Sequence, residues 1–232
     1  MVKENITQIN EIIDNACKRS NRDRKEVNLI AVSKTKPVSA MHEAYEMGCR
    51  DFGENKVQEI VKKYDEMPPD TRFHMIGHLQ TNKVKQVIDK VALIHSVDSY
   101  HLAEVISKEA QKKDMCVPIL IEINVAMEET KYGTTFEESE NLIRECAKLP
   151  GITIKGLMTI APYVENAEEN RKYFKALKQL SVDIKNKNID NVNMEFLSMG
   201  MSGDYEVAIE EGASFVRIGT GIFGERDYQG KV

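Results

Sequence analysis

Apolar residues recur along this chain with two spacings in turn, one helical and one typical of buried strands. Ile6, Ile9, Ile13, Ala16 and Cys17 share one face of a helix, so the chain opens with an amphipathic helix. After a polar turn at 20–26, the run at 29–33 is apolar without clean alternation, as expected of a strand buried on both faces. Lys34-Thr35-Lys36-Pro37 ends it, because proline donates no ladder hydrogen bond. The unit then repeats. Residues 39–47 read as a helix with Met41, Ala44 and Tyr45 inward and Gly48 closing it. Residues 51–54 form a very short strand, followed by a helix around Val57, Ile60 and Val61. A strand at 72–77 precedes a helix at 81–90, and a strand at 92–97 leads to Ser99. Ser99 can cap a helix buried through Leu102, Val105, Ile106 and Ala110.

The clearest strand spans 117–125. Thr135 and Glu138 then make a capping box that opens a helix with Leu142, Ile143, Cys146 and Ala147 on its face. A sixth strand at 154–159 precedes a long helix carrying Tyr173, Phe174, Leu177, Leu180 and Ile184. Residues 194–199 form strand seven, 204–211 a short helix and 215–218 strand eight. Eight strand-then-helix units behind one leading helix predict an α/β fold, a (β/α)8 TIM-type barrel with an extra N-terminal helix. No linker or low-complexity tract divides residues 1–232, so a single domain is expected. An open doubly wound sheet is the alternative, since local pattern does not encode closure.

Composition narrows the function classes. With 41 % apolar and 30 % charged residues, the chain can bury a sizeable core. Aromatics are sparse and Trp is absent, which argues against a stacking platform for single strands. A net charge of −5 disfavours nucleic acid as a partner. Cys17, Cys49, Cys116 and Cys146 include no C-x-x-C pair and read as reduced thiols of a cytoplasmic protein. Residues 1–8 contain no apolar signal core, and the stretch 117–125 is too short to span a bilayer.

In such a barrel the chemistry sits where the strands end at their C-terminal side. Those ends bring Lys34, Glu54, Asn55, His78, Ser96, Asp98, Asn124, Thr159, residues 198–202, Arg217, Gly219 and Thr220. Counting by twos, Ile30, Val32 and Lys34 share a face. Lys34 is therefore either a strand-end lysine snorkelling to solvent or an amine for Schiff-base chemistry. Lys36 could lower the basicity of that amine, and it is also the rival for the covalent role. Phe215 and Arg217 share a face of strand eight, where a buried guanidinium requires a partner: Glu54, Glu195 or a ligand atom.

Ser202-Gly203-Asp204 places a hydroxyl and a small residue before a helix, suiting either an ordinary N-cap or an anion. Gly219-Thr220-Gly221 lets backbone approach a phosphate closely. With Gly224 it matches G-x-G-x-x-G by letters, but no βαβ unit follows, so a dinucleotide site is rejected. His74 and His78 flank a strand end with no third ligand nearby, so no metal site is expected.

Several segments together resemble one family. Ala31-Val32-Ser33-Lys34-Thr35-Lys36-Pro37, Phe52-Gly53-Glu54-Asn55, the stretch 74–83, His95-Ser96-Val97-Asp98, Lys131-Tyr132-Gly133, Gly156-Leu157-Met158, the stretch 198–202 and Val216-Arg217-Ile218-Gly219-Thr220 are similar, in order, to pyridoxal phosphate homeostasis proteins. The resemblance implies a barrel like the N-terminal domain of alanine racemase, with pyridoxal 5′-phosphate as an internal aldimine on Lys34. It implies that Ser202, Gly219 and Thr220 hold the phosphate, that Asn55 lines the cofactor and that Arg217 faces the pyridine nitrogen. It also implies a role in vitamin B6 balance, with apo-enzymes as possible recipients, and no robust catalytic activity. Racemases of this kind use a tyrosine from a second domain. The chain ends eight residues after Gly224, so that acid/base partner is expected to be missing and a monomer is expected. A weak amino-acid racemase or lyase is the alternative.

Overall fold

The computed structural model describes residues 1–128 and 130–225. Eight parallel strands close on themselves in sequence order. They are β1 (Asn28–Val32), β2 (Asp51–Glu54), β3 (Arg72–Met75), β4 (Val91–Val97), β5 (Val117–Glu122), β6 (Ile152–Met158), β7 (Val192–Met201) and β8 (Phe215–Ile218). Closure rests on the pairing of β1 with β8, where Ile30 aligns with Arg217. The barrel alternative is therefore the one realised.

Nine helices are described: α1 (Val2–Arg19), α2 (Val38–Glu46), α3 (Val57–Lys63), α4 (Val84–Val87), α5 (Tyr100–Lys112), α6 (Phe136–Ala147), α7 (Arg171–Asn186), α8 (Tyr205–Glu210) and α9 (Thr220–Phe223). Helix α1 buries Ile6, Ile9, Ile13, Ala16 and Cys17, the face expected from spacing. The Ser99 hydroxyl accepts from Leu102 N–H, and Thr135 accepts from Glu138 N–H, so both caps form. The helix expected at 81–90 is instead a 3-10 turn at Thr81–Lys83 followed by the one-turn α4. Its apolar residues Val84, Val87 and Ile88 cover a single turn, too little to anchor a longer helix. On α3 the buried row is Val57, Ile60 and Lys63, while Val61 is exposed, against expectation.

Alternation along each strand divides the apolar residues into two layers. Ile30, Val32, Ile76, Leu93, Leu120, Met158 and Phe215 pack inside the barrel against Phe196. The larger core lies between strands and helices and includes Ala31, Phe52, Phe73, Ile94 and Ile119. Gly53 faces inward, where an added Cβ would stand 2.8 Å from both Ile30 and Ile76. Its neighbour Glu54 therefore faces the helices.

Candidate cofactor site at the C-terminal mouth

Lys34 lies two residues beyond β1 and is half-buried. Ile30 and Val32 belong to the inner layer, and Lys34 stands two residues further on, past the strand end at the mouth of the barrel. Lys36 is placed differently. Its Nζ donates to the carbonyls of Phe223, Gly224 and Glu225 at 2.9–3.1 Å, the C-terminal end of α9. Asn5 of α1 donates to Ile222 O, the preceding carbonyl. Lys36 and Asn5 thus satisfy backbone acceptors that a helix end leaves open, and the cation suits the negative end of the dipole.

The other end of α9 forms a cradle with the loop after β7. Thr220 Oγ1 donates to Ser202 Oγ at 3.1 Å, and Gly221 N–H points to the same oxygen at 3.4 Å. Nothing lies within 4 Å of where a Cβ on Gly203 would stand. Ser202 does not cap α8; Asp204 holds that position and ties its carboxylate to Met201 N and Asn170 Nδ2. A cavity of about 250 Å³ also reaches Ser202 and Gly203 from the α8 side. Its other walls include Arg19, Glu168, Glu206 and Glu210, with Arg19 paired to Glu206 and Glu210.

Asn55 follows β2 and is half-buried. Gly77, just past β3, lets the chains pass closely: a Cβ there would stand 2.6 Å from Asn55 O and 2.7 Å from its Cα. Ser96 Oγ donates to Gly77 O at 2.6 Å and fixes that crossing.

Arg217 is buried, and its expected partners Glu54 and Glu195 are both engaged elsewhere. Glu54 binds Lys63 and Glu195 binds Lys155. Arg217 instead donates from Nη1 to Ser198 Oγ at 2.5 Å and from Nη2 to Thr159 O at 2.7 Å. Burial lowers its pKa to about 10, against the attraction of Glu122 and Asp204. It therefore keeps its proton at neutral pH.

Behind Arg217 runs a chain that sequence reading did not connect. Ser198 Oγ lies 2.8 Å from His95 Nδ1, His95 Nε2 lies 2.9 Å from His74 Nδ1, and His74 Nε2 lies 2.8 Å from Asp51 Oδ1. Arg72 closes it with two bonds to Asp51. The chain crosses the barrel from the strand starts to the mouth. Asp51, Arg72 and His74 also line a cavity of about 430 Å³ at the opposite mouth. Inward parity of 51, 74, 95, 198 and 217 was the one signal in the sequence that could have found these residues.

His78 stacks on Tyr132 at 3.9 Å and lies 3.7 Å from Asp98. Asn124 is used within its own loop, bonding Glu128 N and O. Among the described residues, no three His, Cys, Asp or Glu side chains converge as a metal site would require. No helix among them is long and apolar enough to cross a membrane.

The family described as alanine racemase, N-terminal domain, matches residues 7–227. The pyridoxal phosphate homeostasis protein of Aquifex aeolicus is 46 % identical over 226 residues, covering 97 % of this chain and 98 % of that one. A crystal structure of an unknown protein from Bifidobacterium adolescentis superposes with a TM-score of 0.89 at 32 % identity, covering 96 % and 94 % of the two chains. PipY of Synechococcus elongatus with pyridoxal phosphate bound superposes at 0.83, also 32 % identical, covering 97 % of this chain and all of that one.

Proposed function

The chain belongs to the pyridoxal phosphate homeostasis proteins, on the alanine racemase N-terminal fold, and from that membership we propose that it holds pyridoxal 5′-phosphate as a Schiff base on Lys34, buffers it and delivers it to apo-enzymes. The observation that carries this reading is the placement of Lys34. It follows the inward residues Ile30 and Val32 of β1 by two positions, next to β8 in the closed sheet, and Gly219 of the Ser202, Gly219 and Thr220 cradle stands against Val32.

The residues fit the group. Lys34 would supply the amine that holds the aldehyde carbon of the group as an imine, with release of one water. The hydroxyls of Ser202 and Thr220 and the backbone N–H groups at Gly219 and Gly221 suit a phosphate. Asn55, positioned by Gly77, lines the ring. Pyridoxal phosphate supplies the aldehyde and a ring that withdraws electrons through its nitrogen. Arg217, facing that nitrogen, can donate but not accept a proton, and it stays charged. That contact would leave the nitrogen unprotonated, so the bound ring would withdraw electrons weakly. Such a site retains its cofactor better than it labilises an amino-acid α-proton. The reading is of a cytoplasmic monomer with no robust catalysis.

The test is a visible spectrum of the purified protein with pyridoxal phosphate, followed by borohydride reduction and peptide mapping. The label is expected on Lys34, and Lys34→Ala is expected to be colourless. A label on Lys36, or colour surviving in Lys34→Ala, overturns the assignment. Delivery requires that apo-enzymes regain activity from the loaded protein faster than cofactor leaks into solution; equal rates would leave storage alone. The racemase or lyase alternative predicts exchange of amino-acid α-protons with solvent deuterium, and none is expected.

A further inference from the structure

Lys34 sits in a turn whose construction is unusual. Lys36 N–H donates to Ser33 O at 3.0 Å, closing a turn with Lys34 and Thr35 at its centre. Thr35 has φ +64°, in the left-handed region. Type II turns place glycine there, because a side chain, and a β-branched one above all, is strained at positive φ. Strain of that kind persists only where the surroundings over-determine the backbone.

The surroundings here are three charged side chains on the outer side of the barrel. Glu59 Oε2 accepts from Thr35 N–H at 2.7 Å. Lys63, one turn along α3, donates to Glu59 Oε2 at 2.9 Å, to Ser33 O at 2.9 Å and to Glu54 Oε1 at 2.7 Å. Glu54 Oε1 also accepts from the Ser33 hydroxyl at 2.7 Å. Lys63 and Glu54 are buried and Glu59 is half-buried. Both residues flanking Lys34 are therefore gripped, through backbone N–H, backbone carbonyl and side chain. A solvated strand-end lysine needs no such support. A buried ammonium between two carboxylates is a costly way to hold an ordinary loop.

We infer that Glu59 and Lys63 are positioning residues for Lys34: their clamp keeps Thr35 left-handed, and that turn aims the Lys34 amine at the aldehyde of the bound ligand. This rests on the cofactor reading above. Glu59 and Lys63 reach Lys34 only through its neighbours, so they should govern formation of the covalent link and leave phosphate recognition at the β7 and β8 loops untouched.

The test compares wild type, Glu59→Gln, Lys63→Met, Thr35→Gly and the double variant Glu59→Gln with Thr35→Gly, all as full chains. The readouts are the rate of borohydride-trappable linkage at saturating pyridoxal phosphate and the affinity for pyridoxine 5′-phosphate, which lacks the aldehyde. Glu59→Gln and Lys63→Met are expected to slow linkage about tenfold, the scale of the left-handed penalty. Their affinity for pyridoxine 5′-phosphate is expected to stay within about twofold of wild type, that is, well under one tenfold step. Thr35→Gly alone should match wild type, and in the Glu59→Gln background it should restore most of the rate, since glycine holds positive φ without a clamp. Glu59→Gln keeps shape and size, so it remains informative if Lys63→Met fails to fold. Unchanged linkage rates, a parallel loss of pyridoxine phosphate affinity, or no rescue by glycine would each overturn the inference. A wild-type chain that traps nothing would instead sink the cofactor reading itself.

Discussion

His74 and His95 share one hydrogen bond at the centre of the barrel, Nδ1 to Nε2 at 2.9 Å, and the groups at the two ends of their chain have fixed roles. An ionised Asp51 can only accept, so His74 carries its proton on Nε2. His74 Nδ1 and His95 Nε2 then share one proton between them, and His95 Nδ1 pairs with the Ser198 hydroxyl. The Ser198 oxygen accepts from Arg217, which can only donate. Burial, with His74 and Arg217 adding, holds His95 well below the ordinary histidine range. His95 should therefore be neutral between about pH 6 and 8. Nitrogen-15 NMR of labelled histidine checks this; a charged His95 would contradict it.

Ser198 is the link through which Arg217 joins this chain. Ser198→Ala strands a guanidinium N–H and His95 Nδ1 inside the barrel, at a cost of about 1–3 kcal/mol. Urea unfolding should register that loss, and Ser198→Thr, which keeps the hydroxyl, should recover part of it. The same alanine variant should release pyridoxal phosphate faster on dialysis.

Lys36→Ala removes three donors from the carbonyls that end α9. The variant should keep its visible band while losing about 2 kcal/mol of stability, the scale of bonds to a charged group. Phosphate retention should weaken as well, because the opposite end of α9 forms the cradle.

Gly77→Ala would press a Cβ into the Asn55 backbone. Overpacking of this sort costs about 1–3 kcal/mol. On the proposed role of Asn55 beside the cofactor, affinity for it should fall along with the unfolding midpoint. A drop in midpoint alone would separate Asn55 from binding.

Buried carboxyls give stability a pH dependence of two signs. Burial raises Glu54 and Glu122 each to about 7; Lys63 and Ser33 oppose the rise at Glu54, whereas Asp98 adds to it and Arg217 opposes it at Glu122. Glu59 is held low despite burial, by Lys63 and Thr35 N–H, so Glu54 protonates first in the clamp. Because the native state holds the Glu54 and Glu122 protons more tightly than the unfolded chain, stability falls as pH rises from about 4.3 to about 7. Asp51 is opposite. Burial raises it, but hydrogen bonds from His74 and Arg72 outweigh that and take it down to about 2. Its contribution is lost as pH drops below about 4. Unfolding midpoints should be highest in mild acid, and Glu122→Gln should flatten the decline between about pH 5 and 8. An unchanged slope in that variant would show that Glu122 ionises normally.

Much of this protein is legible in local spacing. The faces of α1 and α6, the caps at Ser99 and Thr135, and the exact spans of β2 and β8 follow from which residues must be buried together within one element. The inward row Ile30–Val32–Lys34 follows equally, because side chains alternate along any strand. Even the partnerless look of Arg217 is local, since a charge on an inward row must be satisfied somewhere.

What satisfies it is not local. Ser198 lies 19 residues from Arg217 and 103 from His95, and no periodicity records that they meet. Lys36 reads as a rival to Lys34 until the fold brings the end of α9 to it from 187 residues away. Nothing in the spacing of α3 marks Lys63, and only packing against β2 buries it between Glu54 and Glu59. The sequence determined which side chains face inward, because that depends on a period of two. Closure of β1 onto β8 decided which of them touch, because hydrogen bonds between distant strand ends are made by geometry that no short window of residues contains.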